Sequence, residues 1–171
     1  MRIGYADPPY IGCAHLYPEQ TEVDHNALVV RLNREYDGWI LHGAATAESM
    51  AVLAPLARYY DARWCAWVKS FAAFKKNVSV AYAWEPVIIK AARKPIVSGR
   101  VVMRDYIQEP IAMQRGLTGA KPERVCHWAF ELVGADPDDE LVDLYPGTGA
   151  VTDAWRTWQQ HLRSSLPLSA R

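Results

Sequence analysis

The sequence predicts an α/β fold built on a mainly parallel sheet with helices on both faces. Short apolar runs recur at Arg2 to Ala6, Trp39 to His42, Arg63 to Val68, Val87 to Ala91 and Leu141 to Tyr145, and amphipathic segments separate most of them. Runs that are apolar on both faces and alternate with helices belong in a sheet buried on both sides. The first run stops at Asp7 and the last carries Asp143, and each then breaks into a turn of prolines or glycines. Ligands of open α/β sheets bind at such strand ends. About five mainly parallel strands are expected, with those ending at Ala6 and Asp143 adjacent.

The totals narrow the classes. A chain of 171 residues, half of them hydrophobic, can bury one real core, so a single domain spanning 1–171 is expected. Lys plus Arg and Asp plus Glu number 19 each, which excludes a strongly basic partner-binding protein and leaves phosphate attraction to local patches. Cys13, Cys65 and Cys126 are far apart and in no paired spacing, which argues against a disulfide framework or a zinc site and suits a reducing cytoplasm. No apolar run reaches the ~18 residues of a membrane span and no secretion signal is evident. A soluble, cytoplasmic protein without a membrane partner is therefore expected.

Along the chain, Arg2 to Ala6 reads as a buried strand and Asp7-Pro8-Pro9-Tyr10 as a rigid loop. His15 to Glu22 has no period and is expected to form a mobile cover, with Gly12 as hinge. Asp24 caps a helix to about Tyr36, with Leu28 and Leu32 on its inner face. Trp39 to His42 is a strand, followed by a helix from Thr46 with Met50, Leu53 and Ala57 inward and a bend or early stop at Pro55. Between the strands at Arg63 to Val68 and Val87 to Ala91, Lys69, Lys75 and Lys76 interleave with Phe71, Phe74, Tyr82 and Trp84. Such a segment either grips a nucleic-acid backbone or packs on the sheet edge with solvated lysines. Residues 93–119 have no clear period and form the linker-like part. Pro122 opens a helix with Val125, Trp128, Ala129 and Leu132 inward and Gly134 as its stop. The last strand and the turn Pro146-Gly147-Thr148-Gly149 lead into a helix from Ala150 to about Leu162.

Two loops carry chemistry. Consecutive prolines remove two N–H donors and leave carbonyls free, so Asp7 and the Pro8 carbonyl can each accept one hydrogen of an exocyclic amino group while Tyr10 stacks on the base, with Pro9 stiffening the turn. The bland alternative is a Pro-rich connection without a ligand. At the other loop, Gly147 and Gly149 admit a ligand against the backbone, and the following helix start favours negative charge. A lone Gly-x-Gly turn is weak, because glycines at a strand-helix junction often serve only the turn. His42 is read as a hydrogen-bonded structural residue, Glu85 as either a substrate contact or a strand cap, and Cys13 as unreactive.

Asp7-Pro8-Pro9-Tyr10 resembles the motif of S-adenosylmethionine-dependent methyltransferases that modify amino groups of nucleic-acid bases, the adenine type in particular. Asp143-Leu144-Tyr145-Pro146-Gly147-Thr148-Gly149 is similar to that family's cofactor motif, with Leu144 and Tyr145 in place of Pro and Phe. Thr118-Gly119-Ala120-Lys121-Pro122 looks like its Lys-Pro segment, and Trp84 to Ile89 like its strand near the base pocket. The order, base motif first and cofactor motif last, is that of the family's beta class, and the size is like a small orphan or phage-like form. The resemblance spans Ile3 to about Leu162. It implies a Rossmann-like methyltransferase fold with a reduced sheet and permuted motif order. The implied catalytic residues are Asp7, Pro8, Pro9 and Tyr10, and no metal is implied. Asp143, Tyr145, Pro146, Gly147, Thr148 and Gly149, with Thr118 and Lys121, would hold S-adenosylmethionine.

The implied reaction is methylation of the adenine amino group in DNA, preferred over RNA. Residues 93–119 are the only room for a substrate-recognition insert, so sequence specificity should be low or short. No residue is evident for the cofactor ribose. A homodimer would complement so short a sheet. The rival classes are a methyltransferase-like binding or partner subunit with little catalysis, and an amino-methyltransferase of RNA or nucleotides.

Overall fold

The computed structural model describes residues 1–17, 20–70, 79–94, 102–111 and 120–165. Its strands are β1 (Arg2–Ala6), β2 (Gly38–His42), β3 (Arg63–Val68), β4 (Trp84–Lys90), β5 (Tyr106–Gln108) and β6 (Glu140–Asp143). The helices are α1 (His25–Glu35), α2 (Ala47–Tyr59), α3 (Glu123–Val133) and α4 (Ala150–Ser165). All six strands join one sheet in the order β5-β3-β4-β2-β1-β6.

β1 pairs parallel with both β2 and β6, and β3 pairs parallel with β5, while β4 runs antiparallel to β2 and β3. Only β4 is reversed, so the sheet is mostly parallel. The chain leaves β1 toward β2 on one side and returns to β6 on the other, which makes the carboxyl end of β1 the point where strand order switches. A crevice opens at such a point. Tyr5 stands opposite Asp143, and the Leu144 amide donates to the Tyr5 carbonyl at 2.9 Å.

Alternate side chains of the strands feed two cores. Ile3, Tyr5, Ile40, Trp67, Val87 and Ile89 pack against α3 and α4, where Phe130 meets Trp155 edge-on at 5.0 Å and Trp155 stacks on Trp158 at 4.9 Å. Ala6, Trp39, Leu41 and Ile88 pack against α1 and α2. Five of the seven tryptophans are buried, at positions 39, 67, 128, 155 and 158.

Local signals behave as their chemistry dictates. The Asp24 carboxylate accepts from the Ala27 amide at 3.0 Å and caps α1, and the Thr46 hydroxyl accepts from Ser49 at 3.3 Å and caps α2. Three expectations need correction. Of the two effects expected of Pro55, the early stop does not occur, since α2 continues through it to Tyr59. Met50 is only half-buried, and Ser49 takes the inward place beside Leu53 and Ala57. Among the described residues the sheet has six strands rather than five, because the linker-like segment contributes β5. That strand has no apolar run of its own. It forms on the open edge of β3, where the Ala66 amide donates to Asp105, the Glu109 amide to Val68 and the Trp67 indole to the Glu109 carbonyl.

Candidate functional site

The loops after β1 and β6 leave the same end of the sheet from neighbouring strands. Because β4 is reversed, its first residues also reach that end, and strand alternation turns Glu85 toward the face covered by α3. Lys69 follows β3 there, and Lys121 sits just before the Pro122 cap of α3. One polar cluster results, drawn from four separate parts of the chain.

At its centre is the Lys121 ammonium, whose side chain is 6% exposed, at 2.9 Å from Asp7 Oδ2 and 3.5 Å from Glu85 Oε2. It also donates to the Tyr10 hydroxyl oxygen at 3.3 Å. Tyr10 gives its own hydroxyl proton to Glu85 Oε2 at 2.9 Å, with Asp7 Oδ1 farther off at 3.4 Å. Glu85 Oε1 accepts from Lys69 at 2.5 Å. Both ammonium groups lie over the Trp67 ring, at 5.1 Å and 5.6 Å.

Electrostatics follow from this packing. Burial alone would raise the Glu85 pKa, but the Lys121 and Lys69 cations overcome it and bring it down to about 2. Burial would likewise strip the Lys121 proton, yet Asp7 and Glu85 hold its pKa above the ordinary lysine value. Tyr10 is pushed well up by burial and by the two carboxylates, so it is a neutral donor. Beneath the cluster His42 is fully buried, with Nε2 at 2.7 Å from the Tyr5 hydroxyl and Nδ1 unpartnered. Burial, helped by Lys121, pushes its pKa down to about 4, leaving a neutral ring with no open face to the crevice.

The turn after β6 is built differently. Asp143 Oδ1 accepts from the Tyr145 amide at 3.2 Å, whereas Oδ2 is buried without a partner. Burial raises the Asp143 pKa, and the nearby Asp7 carboxylate raises it further, so the two loops lie within electrostatic reach. Gly147 and Gly149 have φ of +45° and +80°, in the left-handed region that favours glycine. A Cβ at Gly149 would meet nothing within 4 Å, and one at Gly147 only the Tyr145 carbonyl at 3.8 Å. Pro146, Gly147 and Thr148 are exposed, and the Gly149 amide closes the turn on Pro146 at 2.6 Å. An open cradle beside an unsatisfied carboxylate oxygen fits a ligand that carries an amino group.

The structure thus brings Asp7, Pro8, Pro9, Tyr10 and Lys121 together and sets the Asp143 to Gly149 turn beside them. Lys121, expected at the cofactor, engages Asp7, Glu85 and Tyr10. Thr118, with Phe71, Phe74, Lys75 and Lys76, lies outside the described residues. Glu85 was left open by sequence, and Lys69 was placed in a segment that either grips a nucleic-acid backbone or carries solvated lysines, yet both belong to the cluster. The available signal was a single carboxylate inside an apolar strand, since a buried charge requires partners. Tyr17 is a second aromatic at the mouth: partial burial and then Asp7 raise its pKa while Lys121 lowers it. The expected cover holds a short 3-10 turn, Ala14–Leu16, and Glu22 accepts from the Gly12 and Ala14 amides at 3.4 Å and 3.3 Å.

Among the described residues no helix is long and apolar enough to cross a membrane, and no group of three or more His, Cys, Asp or Glu is placed to hold a metal ion. No protein-family model matches the sequence, and neither does any curated protein. Solved structures do resemble it. The crystal structure of the M1.HpyAVI–SAM complex superposes with a TM-score of 0.60 at 13% identity, covering 96% of this chain and 88% of that one. A second structure of M1.HpyAVI gives a TM-score of 0.52 at 14% identity, covering 92% and 76%. The chain accordingly has the α/β fold of S-adenosylmethionine-dependent methyltransferases.

Proposed function

We propose that this protein transfers the methyl group of S-adenosylmethionine to the exocyclic amino group of adenine in DNA, with low or short sequence specificity. The observation that carries this is the pairing of Tyr5 with Asp143, which puts the Asp7-Pro8-Pro9-Tyr10 loop and an open glycine turn side by side at one sheet end. The fold shared with a structure solved as a SAM complex supports the cofactor.

S-adenosylmethionine, when bound, supplies an electrophilic methyl group on a sulfonium centre. The Asp143 to Gly149 turn would hold it, with Asp143 Oδ2 accepting from its amino group and the glycines allowing close backbone approach. Tyr145, Pro146 and Thr148 would line the same turn. Asp7 and the Pro8 carbonyl accept the two hydrogens of the target amine. That would favour a tetrahedral nitrogen whose lone pair is freed from the ring and available to an electrophile. Asp7 would take, directly or through water, the proton that the amine gives up once its nitrogen has accepted the methyl group. Tyr10, held by its hydroxyl, offers a ring face to the base. A base in a duplex must be flipped out to reach this geometry, at a few kcal/mol, less from a single strand.

Incubation with methyl-labelled S-adenosylmethionine and DNA, RNA or free nucleotides, followed by digestion and nucleoside chromatography, tests this. Label is expected on N6 of adenine from DNA in many sequence contexts. Label confined to RNA or nucleotides would move the substrate class, and its absence from every base would favour a binding subunit.

A further inference from the structure

Lys121 has three ammonium protons, and three acceptors meet them: Asp7 Oδ2, Glu85 Oε2 and the Tyr10 hydroxyl oxygen. Tyr10 has one hydroxyl proton and spends it on Glu85. Glu85 is in turn fixed by Lys69 through its other oxygen. The most weakly held oxygen of the set is Asp7 Oδ1, whose one partner, the Tyr10 hydroxyl, stands 3.4 Å away and donates at 2.9 Å to Glu85 instead. Two cations balance two carboxylates, so the cluster adds no net charge beside a sulfonium. Buried ion pairs of this kind gain little over well-packed apolar residues in stability, and their strength is fixed geometry.

We infer that Lys121 is a positioning residue that pins Asp7 through Oδ2 and thereby presents Oδ1 as the acceptor of the target amine, with Glu85 holding Lys121 and Tyr10 in register. This rests on the amino-methyltransferase function proposed above. Lys121 would not touch the cofactor. Its effect passes through Asp7, which separates it from a residue that merely supports the fold.

The test is a double-mutant cycle between Lys121 and Asp7, read as kcat for methyl transfer to adenine, with cofactor Kd from calorimetry as control. Lys121→Met is expected to lower kcat by about 30-fold to 100-fold while cofactor Kd stays within about 3-fold. In an Asp7→Asn background, which keeps one carbonyl acceptor but no charge to pin, the same change should cost less than about 3-fold more. Should Lys121→Met fail to fold, Lys121→Gln carries the cycle, with a loss of about 10-fold in the parent and almost none in Asp7→Asn. Parental kcat in either variant overturns the inference, as does an equal loss in both backgrounds. A matching rise in cofactor Kd would return Lys121 to the cofactor site. A parent protein that methylates no base overturns the function and this inference with it, whereas a methylating parent with an additive cycle overturns the inference alone.

Discussion

The turn after β1 and the turn after β6 stand side by side, yet one is filled and the other open. Around Asp7 the polar groups are held by the protein's own side chains, with Lys121, Glu85, Lys69 and Tyr10 closing on one another and only Asp7 Oδ1 left with a long 3.4 Å contact. At Gly147 and Gly149 the backbone has positive φ, a Cβ would meet at most the Tyr145 carbonyl at 3.8 Å, and Asp143 Oδ2 is buried with nothing to bond. The first turn is preorganised by side-chain charge and the second by backbone shape. Each should therefore break in its own way: the first when a charge is removed, the second when bulk is added.

The largest expected effect is on the charged turn. Asp7→Ala deletes the amine acceptor and should lower kcat on the order of 10²–10³-fold, because the interaction strengthens only as nitrogen becomes tetrahedral. Cofactor Kd should change little, since Asp143 and the glycine turn are untouched. The variant should also melt earlier, because Lys121 loses its partner at 2.9 Å and keeps only Glu85 and Tyr10. Single-turnover methyl transfer beside calorimetry checks this, and a variant as active as the parent sinks the mechanism.

Gly147→Val is the reciprocal break. A β-branched residue at φ +45° is strained by ~1–3 kcal/mol, and its side chain enters the space proposed for the cofactor. Binding of S-adenosylmethionine should weaken by about 100-fold or more, with far-ultraviolet circular dichroism unchanged. The Asp7 cluster should be unaffected. Tight binding to this variant would mean that the ligand lies elsewhere.

What the sequence made legible follows from the range of the interactions. Asp7-Pro8-Pro9-Tyr10 and the Gly147 to Gly149 turn are contiguous, and their rigidity and φ preferences belong to the residues themselves. The Asp24 and Thr46 caps are equally local. The reversal of β4 was not legible, because Val87, Ile88 and Ile89 would be buried whichever way the strand ran. β5 was hidden because Tyr106-Ile107-Gln108 gains its pairing from β3 and not from its own pattern. The same holds for the cluster. Lys69, Glu85 and Lys121 are joined only by tertiary packing, so the residues that fix Asp7 had to be found in the fold.

The smallest expected effect sharpens the comparison most, since it asks whether the unpaired oxygen of the open turn is there for a ligand. In the folded protein the Asp143 pKa lies above its ordinary 3.8, through burial first and the Asp7 charge besides. A carboxyl group with a raised folded pKa binds a proton more tightly when folded, so stability falls as pH rises from about 4 through the raised value and stays lower above it. Asp143→Asn has no charge to desolvate. At pH 7 the variant should melt about 1–4 °C above the parent, with the gap closing below about pH 4, where both are neutral. It should nonetheless bind S-adenosylmethionine more weakly, by about 10-fold, because an amide oxygen accepts less strongly from a cationic amino group than a carboxylate. Differential scanning calorimetry at pH 4 and pH 7, with and without the cofactor, reads both quantities in one experiment. A variant that is less stable at pH 7 and binds as the parent does would make Asp143 a structural carboxylate of the turn, and the opposition between a filled and a waiting loop would fall.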